Sequence, residues 1–167
     1  MAVNNVTSDY TGRKKDISIL QYPNPYIANP QNVKLRFGSN GRFCAGIQKT
    51  IQKYTIILLT NLGSQEKFPQ FGTSFYSDLI YKSGALDTIL ATQIFVAASS
   101  EAVDAIKAYQ IYKDNIPADE RLVSATLEDI VINNIYINDK PERQVGFSVK
   151  ILTEAGESVD YVLPLPK

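Results

Sequence analysis

Between Arg42 and Asn61 the apolar residues Phe43, Ile47, Ile51, Tyr54 and Leu58 recur at steps of four or three. That period places them on one face of an α-helix, and the rest of the fold must cover a face so continuous. Ile56, Ile57 and Leu59 widen the stripe, so the last turns are expected to be buried on most sides. Gly63 follows as a C-terminal stop. The chain then reads "SQEKFPQFGTSF", with two aromatics, a proline and another glycine on one short connection. Proline and glycine fix a compact turn there. Phe68 and Phe71 can anchor it to the helix or to a partner.

The period changes to two after Leu122. In "LVSATLEDIVINNIYI" one side carries Leu122, Ser124, Thr126 and Glu128, the other Val123, Ala125, Leu127 and Asp129. A phase shift near Ile130 predicts a bulge. "QVGFSVKILTE" is a second strand with Val145, Phe147, Val149 and Ile151 on one face. "VDYVLPLPK" is a third, with Pro164 and Pro166 ending any regular ladder. These strands make a C-terminal three-stranded antiparallel meander. Helices followed by a meander give an α+β fold.

Between these parts the pattern is less uniform. "SSEAVDAIKAYQIYKDN" predicts a helix capped by Ser99 or Ser100 and ended by Pro117. Residues 85–97 read equally as helix or strand. Residues 1–32 read as an extended arm and 33–167 as the α+β domain. Three prolines at 23, 25 and 30 interleave with Tyr22, Tyr26 and Ile27, apolar side chains that a solvated tail does not need. Those residues are expected to lie against the domain or a partner. "NVKLRFG" at 32–38 alternates as a short strand with one wet face.

Composition narrows the chemistry. The 167 residues hold 17 Lys and Arg against 17 Asp and Glu, a balance that calls for neither nucleic acid nor an anionic membrane. No segment approaches the roughly 20 apolar residues that span a bilayer. Without histidine there is no Ser–His or Cys–His nucleophile system and no His-based metal site. Cys44 reads as a small buried residue at the start of the first helix. No cofactor is implied, because "GSNGR" lacks the lysine and the strand-to-helix frame of a phosphate loop. Catalysis would need a carboxylate pair such as Glu66 and Asp78, and no signature marks one. A neutral domain with an aromatic, proline-rich arm reads as a part that binds other proteins.

Thr60, Gly63, Pro69, Phe71, Gly72, Ser74 and Phe75, following an apolar helix, resemble the turn motif of the gene 25-like family of contractile phage tails. Its members are baseplate wedge subunits with a counterpart in the type VI secretion baseplate. The family's second mark, Glu-Pro-Arg before the first long strand, is met by Asp119-Glu120-Arg121, which keeps an acid and the arginine but not the proline. The resemblance covers residues 40–163. It implies a structural virion protein, assembled in the host cytoplasm and present in six copies per baseplate. It implies that Asp119, Glu120 and Arg121 grip the core bundle of the large wedge subunits. It also implies that the C-terminal strands start tail-sheath assembly by strand addition, through Val145, Phe147, Val149, Ile151, Val159, Tyr161 and Leu163. The arm would reach a tube, hub or neighbouring subunit. The alternatives are a peptidoglycan-cleaving, lysozyme-like enzyme or another tail adaptor.

Overall fold

The structure is a computed structural model that describes residues 14–21, 31–32, 34–35, 43–83, 87–113, 115–137 and 140–163. In chain order its elements are β1 (Asp16–Ile17), β2 (Leu20–Gln21), β3 (Gln31–Asn32), β4 (Lys34–Leu35) and β5 (Phe43–Cys44). Helices α1 (Ile47–Leu59), α2 (Phe75–Ser83) and α3 (Thr88–Tyr112) follow. A 3-10 turn (Ala118–Glu120) then leads into β6 (Leu122–Ile137), β7 (Lys140–Thr153) and β8 (Ser158–Leu163). The fold is α+β. Its main sheet has the order β3-β8-β7-β6, with β6, β7 and β8 an antiparallel meander and β3 added in parallel to β8.

The meander's inward face is built in rows. Ile130, Phe147 and Leu163 stand side by side across the three strands, as do Leu127, Val149 and Tyr161, and then Ala125, Ile151 and Val159. Along β6 those residues and Leu122 are spaced three, two and three apart, which a regular strand would send to alternating faces. Two register shifts, between Leu122 and Ser124 and between Leu127 and Asp129, restore the phase. The bulge expected near Ile130 therefore lies slightly earlier, and a second one precedes it.

The helices cover this face. Ile47, Ile51, Tyr54 and Leu58 are fully buried, so the apolar stripe is the core side of α1. Phe43 leaves the stripe: the helix begins only at Ile47, because Phe43–Cys44 pairs with Asp16–Ile17, and Phe43 is exposed. Cys44 is buried as expected, but in this short strand rather than in the helix. Phe75, Phe95 and Phe147 meet at the centre, with Phe75 edge-on to both partners and Phe95 stacked on Phe147 at 5.2 Å.

Residues 88–97 are helical and continuous with the helix after them. Asp87 caps α3, accepting from the backbone N–H groups of Ile89 and Leu90. Ser99 is thus interior to the helix and bonds the Tyr54 hydroxyl at 2.7 Å instead of capping. By length and composition α3 could cross a membrane, contrary to the reading of the sequence. Its Ala91, Ile94, Phe95, Ala98, Ala102 and Ile106 are packed into the core, as in a central helix of a water-exposed domain.

The strand expected over 32–38 is divided. Gln31–Asn32 joins β8, whereas Lys34–Leu35 pairs with Leu20–Gln21. The described part of the arm lies on the domain: Gln52 donates to the Ile17 carbonyl at 2.9 Å and accepts from the Ile19 N–H at 2.8 Å. Tyr22, Tyr26 and Ile27 fall outside the described residues.

Candidate functional site

The turn after α1 is closed by its own backbone. Thr60 caps the helix, its N–H and hydroxyl both bonding the Ile56 carbonyl. Leu62 donates to the Thr73 carbonyl, Thr73 donates back to Thr60, and Gly63 donates to Pro69. The Thr73 hydroxyl reaches the Leu58 carbonyl at 2.8 Å, which ties the loop's exit to the last turn of the helix. Gly72 stands at φ +110, and a Cβ there would lie 2.3 Å from the Thr60 carbonyl oxygen. Only glycine fits so close a backbone approach.

This geometry separates the two aromatics. Phe71 turns in and is half-buried, whereas Phe68 is 66% exposed. Leu62, in the same loop, is also exposed.

The Asp119-Glu120-Arg121 segment forms a corner on the 3-10 turn before β6. Helix α1 starts at Gly46 with no side-chain cap and no acid in its first turn. Its N-terminal N–H groups therefore lack a local acceptor. Glu120 supplies one from far along the chain: Oε1 accepts from the Gly46 N–H at 3.4 Å, and Oε2 pairs with Lys49 Nζ at 2.9 Å. The Glu120 carbonyl accepts from the Thr50 hydroxyl at 3.0 Å. A carboxylate at a helix N-terminus is also favoured by the helix dipole. Lys49 reaches the Lys14 carbonyl as well, so the same ion pair holds the start of the described chain.

Asp119 and Glu120, expected to grip a partner, are each only 7% exposed. Arg121 is different. Its Nε donates to the Ile116 carbonyl at 2.9 Å and its Nη1 to Glu154 at 3.3 Å, with 40% of the side chain exposed. Its ion-pair partner is Glu154 in the β7–β8 turn, not Asp119 or Glu120.

The residues expected to take part in strand addition are core residues. Phe147, Val149, Ile151, Tyr161 and Leu163 are at most 1% exposed, and Val145 and Val159 pack against them. Strand β7 is paired on both sides, and β3 covers part of the outer edge of β8. Among the described residues the edges of this sheet are β6 along its whole length and, on the other side, the two-residue β3 with the part of β8 that it leaves uncovered. As for the carboxylates considered for catalysis, Glu66 is exposed in the loop and Asp78 accepts from the Ser74 hydroxyl on α2.

Between α1 and α3 runs an apolar groove of about 350 Å³. Ile56, Ile57 and Phe71 line it from one side, Ile106 and Tyr109 from the other, and Ile116 and Glu120 close its end. Two segments nearly fifty residues apart in sequence thus line one groove from opposite ends of α1: Glu120 beside Thr50 at the helix start, and Phe71 in the turn that follows Thr60. Sequence reasoning missed the groove and the Lys49–Glu120 pair. No pattern along α1 singles the pair out: six of its thirteen residues are polar, and Lys49, Thr50, Gln52 and Thr55 are buried while Gln48 and Lys53 are only half-buried.

Comparison with protein-family models, with curated proteins and with solved structures gives no match to this chain.

Proposed function

We propose that this chain is a structural protein of a contractile phage-tail baseplate, binding the large wedge subunits and starting the tail sheath. The observation that supports this reading is that the two motif segments flank one groove along α1, with Phe71 lining it at one end and Glu120 at the other. In this reading the wedge core docks at the groove and on Arg121. Glu120 acts indirectly, by fixing the corner that presents the arginine. A guanidinium fork suits carboxylates or carbonyls across an interface.

Sheath strands add to the edge of β6, where backbone N–H and C=O groups face outward and bond an incoming strand with little demand on sequence. The arm, through Tyr22, Tyr26 and Ile27, reaches a tube or hub protein. The chain acts as a connector in the virion and not as an enzyme.

The test is reconstitution with purified wedge and sheath subunits, imaged by electron microscopy. Arg121→Ala is expected to block wedge incorporation while sheath still forms on the protein. Single prolines placed through 123–129 of β6 are expected to do the reverse wherever the lost N–H points outward and the fold is retained. Sheath that assembles equally well without the protein would overturn the reading.

A further inference from the structure

The groove's rim carries charge that the chain as a whole does not. Net charge over the full sequence is zero. At this corner, however, Lys53 lines the groove, and Lys107, Lys113 and Arg121 line the shelf beside it. Glu154 on the shelf is paired with Arg121, and Glu120 in the groove is neutralised by Lys49. Asp104, one turn earlier on α3, lines neither. Tyr109 organises the rim: Lys53 Nζ lies 5.3 Å and Lys113 Nζ 5.0 Å from its ring centroid. The Lys113 ammonium also bonds the Tyr109 hydroxyl. Beyond the rim, Ile111 and Tyr112 are 79% and 89% exposed at the end of α3.

An apolar floor with a basic rim matches one kind of surface: apolar side chains in a row, flanked by carboxylates. A groove between two helices accepts a third helix, whose ridge of residues at steps of three and four fills it. We infer that this face binds an acidic amphipathic helix of a partner, its apolar side chains in the α1–α3 groove and its carboxylates on Lys53, Lys107 and Lys113. The inference rests on the reading of the groove as the wedge-docking site and adds the chemistry of what docks there. Nucleic acid would use the lysines but leave the apolar floor unfilled.

The test uses the full chain and a fluorescein-labelled synthetic peptide with leucines at steps of three and four and glutamates elsewhere. A scrambled peptide and a lysine-for-glutamate peptide serve as controls, and binding is read by fluorescence anisotropy. The acidic peptide is expected to bind and to weaken as salt rises. Lys53→Glu combined with Lys113→Glu is expected to weaken it at least about tenfold while Tm moves by no more than about 2–4 °C. Equal binding of the lysine peptide, no effect of the charge reversal, or displacement of the peptide by oligo-dT would each overturn the inference. Failure of the peptide with Arg121-dependent wedge incorporation intact removes this inference alone. Peptide binding with no wedge incorporation by the unmodified chain removes the docking function and leaves the groove's chemistry standing.

Discussion

Removing the carboxylate of Glu120 should loosen the whole corner. Its Oε2 lies 2.9 Å from Lys49 Nζ, and the two side chains are 7% and 10% exposed, so water screens neither. Breaking a buried pair by deleting one partner costs about 3–5 kcal/mol, because a desolvated charge is left behind. In Glu120→Ala the stranded ammonium keeps the Lys14 carbonyl at 3.1 Å and Asp16 at 4.0 Å. The cost should therefore fall near the lower end, about 3 kcal/mol. At about 2–4 °C per kcal/mol for a chain of this size, Tm drops by about 6–12 °C. Lys49→Met, which keeps the packing of the stem, should cost about as much, because Glu120 is then left with the Gly46 N–H at 3.4 Å. The double variant should lose less than the sum, with a coupling of about 2–3 kcal/mol in urea denaturation. Single losses under about 1 kcal/mol with a coupling below about 0.5 kcal/mol would refute the reasoning, since that is the behaviour of a solvent-screened pair.

Other substitutions separate the remaining parts of the argument. Gly63 and Gly72 both have positive φ, at 78° and 110°, but only Gly72 has a backbone oxygen in the way of a side chain. Gly63→Ala should thus cost about 1–2 kcal/mol and Gly72→Ala clearly more in chemical denaturation. Phe147→Ala removes the ring that both Phe75 and Phe95 contact and should cost about 3–5 kcal/mol, read from thermal melts. Burial pushes the Cys44 thiol up from its ordinary 9.0 to about 11, so native protein should alkylate slowly at neutral pH and unfolded protein quickly. The folded state holds that proton more tightly than the unfolded state, so its contribution to stability is complete below pH 9.0 and is lost as pH rises to about 11. Denaturation midpoints should fall over that window, and less steeply in Cys44→Ala.

The α+β division was legible because both periods are strong and local. The stripe Ile47, Ile51, Tyr54 and Leu58 and the alternation Phe147, Val149, Ile151 each follow from burial on one side of a regular element. The start of α1 was not legible, because strand pairing of Phe43–Cys44 with Asp16–Ile17 outweighs a helical period that continues through Phe43. Residues 88–97 were ambiguous because α3 is apolar on more than one side, which blurs its period. The cap that decides the matter is Asp87, before the stretch. At the candidate site, the sequence marked two segments as motifs but not the direction of their side chains. Whether Glu120 faces a partner or Lys49 depends on a residue some seventy positions away, and no local pattern encodes that.

The addition of Gln31–Asn32 to the edge of β8 has a consequence for how the chain reaches its final form. Strands β6 and β7 pair from Ile137 and Lys140 outward, neighbours in sequence, so that hairpin can zip early and locally. The pairing of Gln31 with Tyr161 closes a loop of 130 residues (161 − 31) for only two residues of ladder. Loop-closure entropy makes such a contact unfavourable until the core between its ends has formed. Residues 31–32 are synthesised well before β8, yet they must wait for it. Residues 31–32 are therefore among the last to be fastened, and they should be among the first to come loose when the protein begins to unfold.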